Sequence, residues 1–275
     1  MTEVIELISA EASQLRDFLA NLGTEAWSSP SACAGWVVGD VVAHLTQGAR
    51  TWSEAITRAI AGDFNPPPGQ PPLRPGERGS EATAQRAIDF YQSLGKDALL
   101  NAFAEGYQHL HQVLRGLQSE DWDKPCFHRR GVLPTRDYVG LRLQELTIHG
   151  WDMRSVFDAA ATLSERPLPA LLGLAQRWLS NTFRPSPSLS APLRYRFDVS
   201  GPVPVQQDVL VSQDRFQLEP VTASRADVTF RCHTGDYLLF VYGRLPLDRA
   251  VDTGRLVLEG NREQAALFNT LFQGV

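Results

Sequence analysis

Three side chains in this 275-residue sequence are of the kinds that hold a catalytic metal: His44 in VVAHLTQ, and Glu145 and His149 in LQELTIHGWD. Glu145 and His149 are four residues apart, so on a helix they stack on one face. They could then offer a carboxylate oxygen and an imidazole nitrogen to one divalent ion. His44, about a hundred residues earlier in a second helical segment, could supply the third ligand. Two histidines and a glutamate, with a fourth position left to water or substrate, form a pattern that holds catalytic zinc. The plainer reading makes His44 a hydrogen-bonded boundary residue and the Glu–His pair a small contribution to helix stability.

The neighbours bear on that choice. Val139, Leu143, Leu146 and Met153 make an apolar stripe, while Arg142, Glu145, His149 and Asp152 make a polar one. The polar stripe suits either a solvated face or the wall of a site, and a solvated face has little use for Gly150 and Trp151 in its midst. Asp152, one turn from His149, could orient its ring, and Arg142 could do the same for Glu145. Other histidines are weaker candidates. His109 and His111 are two apart and diverge on a helix, so both are expected to face solvent. His128 lies in a basic loop, FHRRG, and Cys232 and His233 point to opposite sides of a strand. Cys33 is expected to be a small buried cysteine, with no cysteine at the ligand set. No GxSxG, Walker or GxGxxG motif occurs.

Bulk properties narrow the classes. A net charge of −5 argues against nucleic acid as a partner, since phosphate neutralisation needs clustered Lys and Arg. Three scattered cysteines, Cys33, Cys126 and Cys232, are no disulfide framework, so a reducing, cytoplasmic setting is expected. The N-terminal segment lacks signal-peptide character, and no apolar run has membrane-spanning length.

The elements that must position these residues fall into two halves. Residues 3–22 and the segment from Val38 through Ile56 carry apolar residues at helical spacing. A proline-rich exposed connection covers GDFNPPPGQPPLRPGERG. A third helix is expected over 80–117, a fourth from Thr135 to about Ala160, and a fifth from Pro167 to Phe183. After RPSPSLSAP the pattern changes. RYRFDVSG, QQDVLVSQDRFQLEP and ADVTFRCHT alternate as half-buried strands do, followed by helix-like GDYLLFVYG, strand-like RLVLEG and a last helix, REQAALFNTLF. The expectation is an all-α bundle over 1–183 and a small α+β domain over 193–275.

CAGWVVGDVVAHL followed much later by RLQELTIHGWDMR resembles the mycothiol-dependent maleylpyruvate isomerase family, within the DinB-like metal-binding helical bundles. The resemblance spans most of residues 5–183 and implies a four- or five-helix bundle with His44, Glu145 and His149 as zinc ligands. Where family members commonly carry a Ser or Thr helix cap after the tryptophan, Val37 stands here. The second half is similar to the sterol-carrier-protein-like domain often joined to this bundle. There the resemblance implies an arginine that helps bind substrate or thiol: Arg244 in VYGRLP first, Arg255 in DTGRLVLEG second. Either could instead pair with Asp236 or Asp248.

The implied function is a metal-dependent enzyme using a low-molecular-weight thiol, mycothiol, on an electrophilic small molecule. The outcome is either cis–trans isomerisation of the maleylpyruvate kind or thiol transfer, with Asp152 and Arg244 assisting. Substrate choice is expected to reside in the loops at 64–76 and 126–137. A different reading is a non-catalytic lipid or small-molecule binding protein with a structural or vestigial metal. Against it, a structural zinc is normally closed by four protein ligands. The sequence leaves the oligomeric state open.

Overall fold

The computed structural model describes residues 2–67, 72–73, 80–187 and 189–273, with the side chains of Ser80 and Glu81 left out. The expected substrate loop at 64–76 therefore lies in part outside the described residues. The chain divides into two compact units, Met1–Ala161 and Thr162–Val275.

The first unit is a bundle of four helices: α1 (Thr2–Ala20), α2 (Val38–Ile60), α3 (Ser80–Arg115) and α4 (Thr135–Arg154). α1 packs on α3 and α4, and α2 packs on the same two helices. Their buried stripes follow from the apolar spacing: Ile5, Ile8, Leu15 and Leu19 on α1, and Val38, Val41, Val42, Leu45 and Ile56 on α2. α3 breaks at Gly95, whose φ of 71° lies in the left-handed region that favours glycine. α4 ends at Arg154 rather than near Ala160, because residues after it turn off and Trp151 Nε1 donates to the Ala161 carbonyl at 2.9 Å. Val37 offers no side-chain oxygen to cap α2, but the Asp40 carboxylate accepts its N–H at 3.0 Å.

Before α4, two short antiparallel strands, β1 (Pro125–His128) and β2 (Gly131–Pro134), form a hairpin where a plain basic loop was expected. The strands are only four residues long, too short for alternation to register in the sequence.

The second unit contains α5 (Leu168–Thr182), which lies within the 1–183 segment expected as the bundle. Its partners lie in the second unit: the Trp178 and Tyr242 rings are tilted with centroids 4.4 Å apart, and Trp178 Nε1 donates to the Val241 carbonyl at 3.0 Å. There follow β3 (Leu193–Ser200), β4 (Val205–Val211), β5 (Phe216–Pro220), β6 (Val228–His233), α6 (Thr234–Val241), α7 (Leu247–Asp252), β7 (Leu256–Gly260) and α8 (Arg262–Leu271). The sheet runs β5-β4-β3-β6-β7, with β3 and β6 parallel and the other pairs antiparallel. One face is aromatic, with Tyr195, Phe197 and Phe230 packed against Phe240 and Phe268 of the helices. The other face is charged. Arg196 is bidentate to the fully buried Asp208, and Arg194 bridges Asp208 and Glu219.

Candidate metal centre

α2 and α4 bring the three nominated ligands together. His44 Nε2 lies 2.9 Å from Glu145 Oε2, and His149 Nε2 lies 3.6 Å from the same oxygen. One donor atom from each of the three residues lies within 4.8 Å of the other two. A tetrahedral zinc with bonds near 2 Å needs ligand atoms about 3.3 Å apart. The set fits an ion of that size with little adjustment. The side chains are 20, 34 and 13 % exposed for His44, Glu145 and His149, so one side of the triangle is open.

The supports of this triangle come from α4 and from the loop before α2. Asp152, fully buried, takes His149 Nδ1 at 2.9 Å, leaving Nε2 toward Glu145. The loop 29–37 closes on itself through the Pro30–Val37 bridge and the Ser31 N–H to the Trp36 carbonyl, and it turns at Gly35, where φ is 81°. The Ala32 N–H ties it to the Asp152 carbonyl at 3.1 Å. This seats Trp36, which carried no expectation of a site role, and Cys33, expected only as a packing residue. Trp36 packs beside both imidazoles, 5.2 Å from His44 and 6.4 Å from His149 between ring centroids. Cys33 donates to Asp152 Oδ2 at 2.9 Å and lies 3.5 Å from His149 Nδ1.

Cys33 is thus half-buried at the site rather than a buried packing residue, and the expectation of no cysteine near the ligands is corrected. Both residues stand in the CAGW stretch quoted above, but a contact across more than a hundred residues leaves no local pattern. Cys33, His149 and Asp152 also place donor atoms within 4.8 Å of one another. That second set shares His149 and is turned inward on a buried carboxylate, so the His44–Glu145–His149 set is the better open site.

Electrostatics prepare the ligands differently. Burial lowers the pKa of His44, against the pull of Glu145, and keeps its imidazole neutral. Burial acts to raise the Glu145 carboxyl, yet hydrogen bonds from His149 and His44 outweigh it and hold the group well below the usual carboxylate range. Burial likewise opposes the charge on His149, but the contacts with Asp152, Cys33 and Glu145 prevail and raise it well above an ordinary imidazole.

Arg142 makes no hydrogen bond to Glu145; its Nε and Nη2 are buried without any partner. The polar stripe of α4 is therefore no solvated face, since Arg142 and Asp152 are 1 and 0 % exposed. His109 is exposed, as expected, whereas His111 is half-buried with Nδ1 sealed from solvent. An open depression of about 770 Å³ lined by Arg50, Glu54, Thr57, Arg58, Asp63 and His109 contains none of the ligand set. In the second unit, Arg255 is committed to Asp236, with Nε 2.7 Å from Oδ1, and Asp248 pairs with Arg262 at 2.6 Å. Arg244 is half-buried after α6, with Nη1 3.4 Å from the Tyr242 carbonyl.

The sequence profile described as the mycothiol maleylpyruvate isomerase N-terminal domain matches residues 8–154, which is more than half of the chain and includes every residue of the triangle. The chain belongs to this family. A second profile, the SCP-2 sterol transfer family, matches residues 191–273. Among solved structures, the mycothiol-dependent maleylpyruvate isomerase is similar at 18 % identity and a TM-score of 0.61, over 88 % of this chain and 89 % of that one. A histidine-to-alanine mutant of the mycothiol-dependent maleylpyruvate isomerase is similar at 17 % identity and the same TM-score and coverage. Sterol Carrier Protein 2 Like 2 from Aedes aegypti is similar at 15 % identity over 38 % of this chain and 99 % of that one, with a TM-score of 0.31. No curated protein matches the sequence significantly. The shared fold joins a family helical domain to a sheet-containing C-terminal domain, and no helix among the described residues is long and apolar enough to cross a membrane.

Proposed function

We propose that this family member is a zinc-dependent enzyme that uses mycothiol, or a related low-molecular-weight thiol, on an electrophilic small molecule. The outcome is isomerisation of the maleylpyruvate type or thiol transfer. The observation that carries this reading is the convergence of His44, Glu145 and His149, with Asp152 behind His149, inside the segment that defines the family.

Zinc held by these three residues would stabilise a thiolate over a thiol near neutral pH. The chain's own side chains perform the rest. Glu145 brings one negative charge and His44 a neutral donor. Asp152 fixes the rotation and tautomer of His149 through Nδ1, and Cys33 shares that carboxylate. Trp36 packs beside the two imidazoles. No side-chain nucleophile is required, because the thiol cosubstrate supplies the sulfur. In an isomerase the thiolate adds to a conjugated alkene, the resulting single bond rotates, and elimination restores alkene and thiolate. In a transferase the carbanion formed by addition takes up a proton from solvent and the adduct is released, or the sulfur displaces a leaving group. Arg244 is assigned to substrate or thiol binding by the family resemblance, ahead of Arg255, whose guanidinium is already paired.

The test is turnover by the zinc-loaded full chain, supplied with mycothiol and either maleylpyruvate or a fluorogenic thiol-trapping electrophile. Thiol-dependent turnover should vanish on chelation, and Arg244→Ala should lose turnover while keeping its zinc. A zinc-loaded protein that turns over neither substrate class with mycothiol contradicts the reading.

A further inference from the structure

Arg142 sits on α4 one turn before Glu145, and its guanidinium is enclosed in an unusual way. The side chain is 1 % exposed. Its central carbon lies 5.2 Å from the Trp52 ring centroid and 5.8 Å from that of Tyr107. Nη1 lies against α2 at Gly48, where an added Cβ would come within 2.3 Å of it. Nε and Nη2 are sealed from solvent and have no hydrogen-bond partner, and the hydroxyl of Tyr107 is in the same state. No carboxylate among the described residues forms an ion pair with Arg142.

Magnitudes separate a packing role from a functional one. A desolvated cation–π contact is worth less than the cost of burying an ion without a counter-charge, and each unmade hydrogen bond to a charged group adds to that cost. Two aromatic rings do not offset that sum, so the fold holds Arg142 at a net cost. The two unpartnered atoms also belong together. Nε–H and one Nη–H pair form the side-on edge of a guanidinium, which matches the two oxygens of a carboxylate. Nη1, the remaining nitrogen, is the one turned to Gly48.

We propose that Arg142, with the Tyr107 hydroxyl, is a carboxylate-binding subsite beside the metal ligands, so that the chain selects electrophiles bearing a carboxylate. Its place next to the reaction rests on the metal reading above; the anion site itself does not need the metal. Trp52 is half-buried and lies over the face of the guanidinium, so it covers the plane rather than the Nε–Nη2 edge. Gly48 is what allows α2 to approach the guanidinium so closely.

The experiment is calorimetric titration of maleate, a small dicarboxylate, and of its neutral diamide into the full chain, both zinc-loaded and zinc-stripped. Wild type should bind maleate in both forms and ignore the diamide. Arg142→Met should weaken maleate by about tenfold to a hundredfold with zinc content unchanged. Its urea midpoint should stay the same or rise, since a buried unpaired charge has been removed. Gly48→Ala, which keeps the charge but displaces the guanidinium, should also weaken maleate, and it decides the matter where Arg142→Met does not fold. Wild type that fails to bind maleate at millimolar concentration overturns the proposal. So does maleate affinity undiminished in the variants, or an Arg142→Met protein that loses stability and keeps its affinity. Maleate binding lost in His149→Ala but kept in Arg142→Met also overturns it, with the metal reading intact. Arg142-dependent binding by a wild type that takes up no zinc supports the subsite and sinks the metal reading instead.

Discussion

Arginines that are half-buried in one unit and buried in the other behave in opposite ways. On the sheet, Arg194 and Arg196 converge on Asp208 and Glu219, and Arg255 is held by Asp236, so every cation in those groups meets a carboxylate. In the helical unit, Arg142 is more deeply buried than any of these and meets none among the described residues. The difference separates charge that secures a fold from charge kept available for a ligand. A satisfied pair is expensive to break. An unsatisfied one is expensive to keep, and it persists where something outside the chain completes it.

The sharpest way to break this contrast is at Asp208. Asp208→Asn leaves Arg194 and Arg196 short of a counter-charge and should lower stability in urea by about 2–3 kcal/mol without altering zinc content. A loss of zinc with no loss of stability would reverse the assignment of the two regions. Asp152 is the matching probe in the helical unit. Asp152→Asn should cost about tenfold to a hundredfold in zinc affinity, measured by competition with a chelator, because His149 loses the acceptor that orients it.

A pH series refines the same point. In the metal-free protein His149 has a raised pKa, so its pairing with Asp152 and Glu145 stabilises the fold fully below the ordinary imidazole range. That contribution is lost as pH rises through the raised folded value. Zinc must displace this proton, so its affinity should climb by about tenfold per pH unit in the window below the raised value, with about one proton released. Affinity that is flat across that window would show His149 already neutral. The smallest effect is expected at the α2 terminus. Val37→Ser supplies the missing cap and should add about 0.5–1 kcal/mol of stability, with zinc affinity unchanged.

The sequence carried much of this arrangement, and the limits have physical causes. Helical spacing located α1, α2 and α5, and alternation located the sheet strands, because each buries one face and shows it in the pattern. The short hairpin Pro125–Pro134 and the six-residue α7 were missed, since neither is long enough to establish a period. Glu145 and His149 could be paired from spacing alone, His44 was a candidate third ligand by residue type, and the family motif joined it to them. That the polar stripe of α4 is enclosed rather than solvated depends on α2, α3 and the 29–37 loop closing over it. Cys33 and Trp36 owe their place to the same loop, and Arg142 owes its state to a missing Cβ at Gly48 and two rings on other helices. Such facts are tertiary, and no local window of residues contains them.

The central claim is that His44, Glu145 and His149 hold one zinc ion, and zinc content tests it most directly. Elemental analysis of the purified full chain should find about one zinc per chain in wild type and only a trace in His149→Ala, with the helical circular dichroism of the two proteins alike. Zinc at full occupancy in His149→Ala would contradict the account.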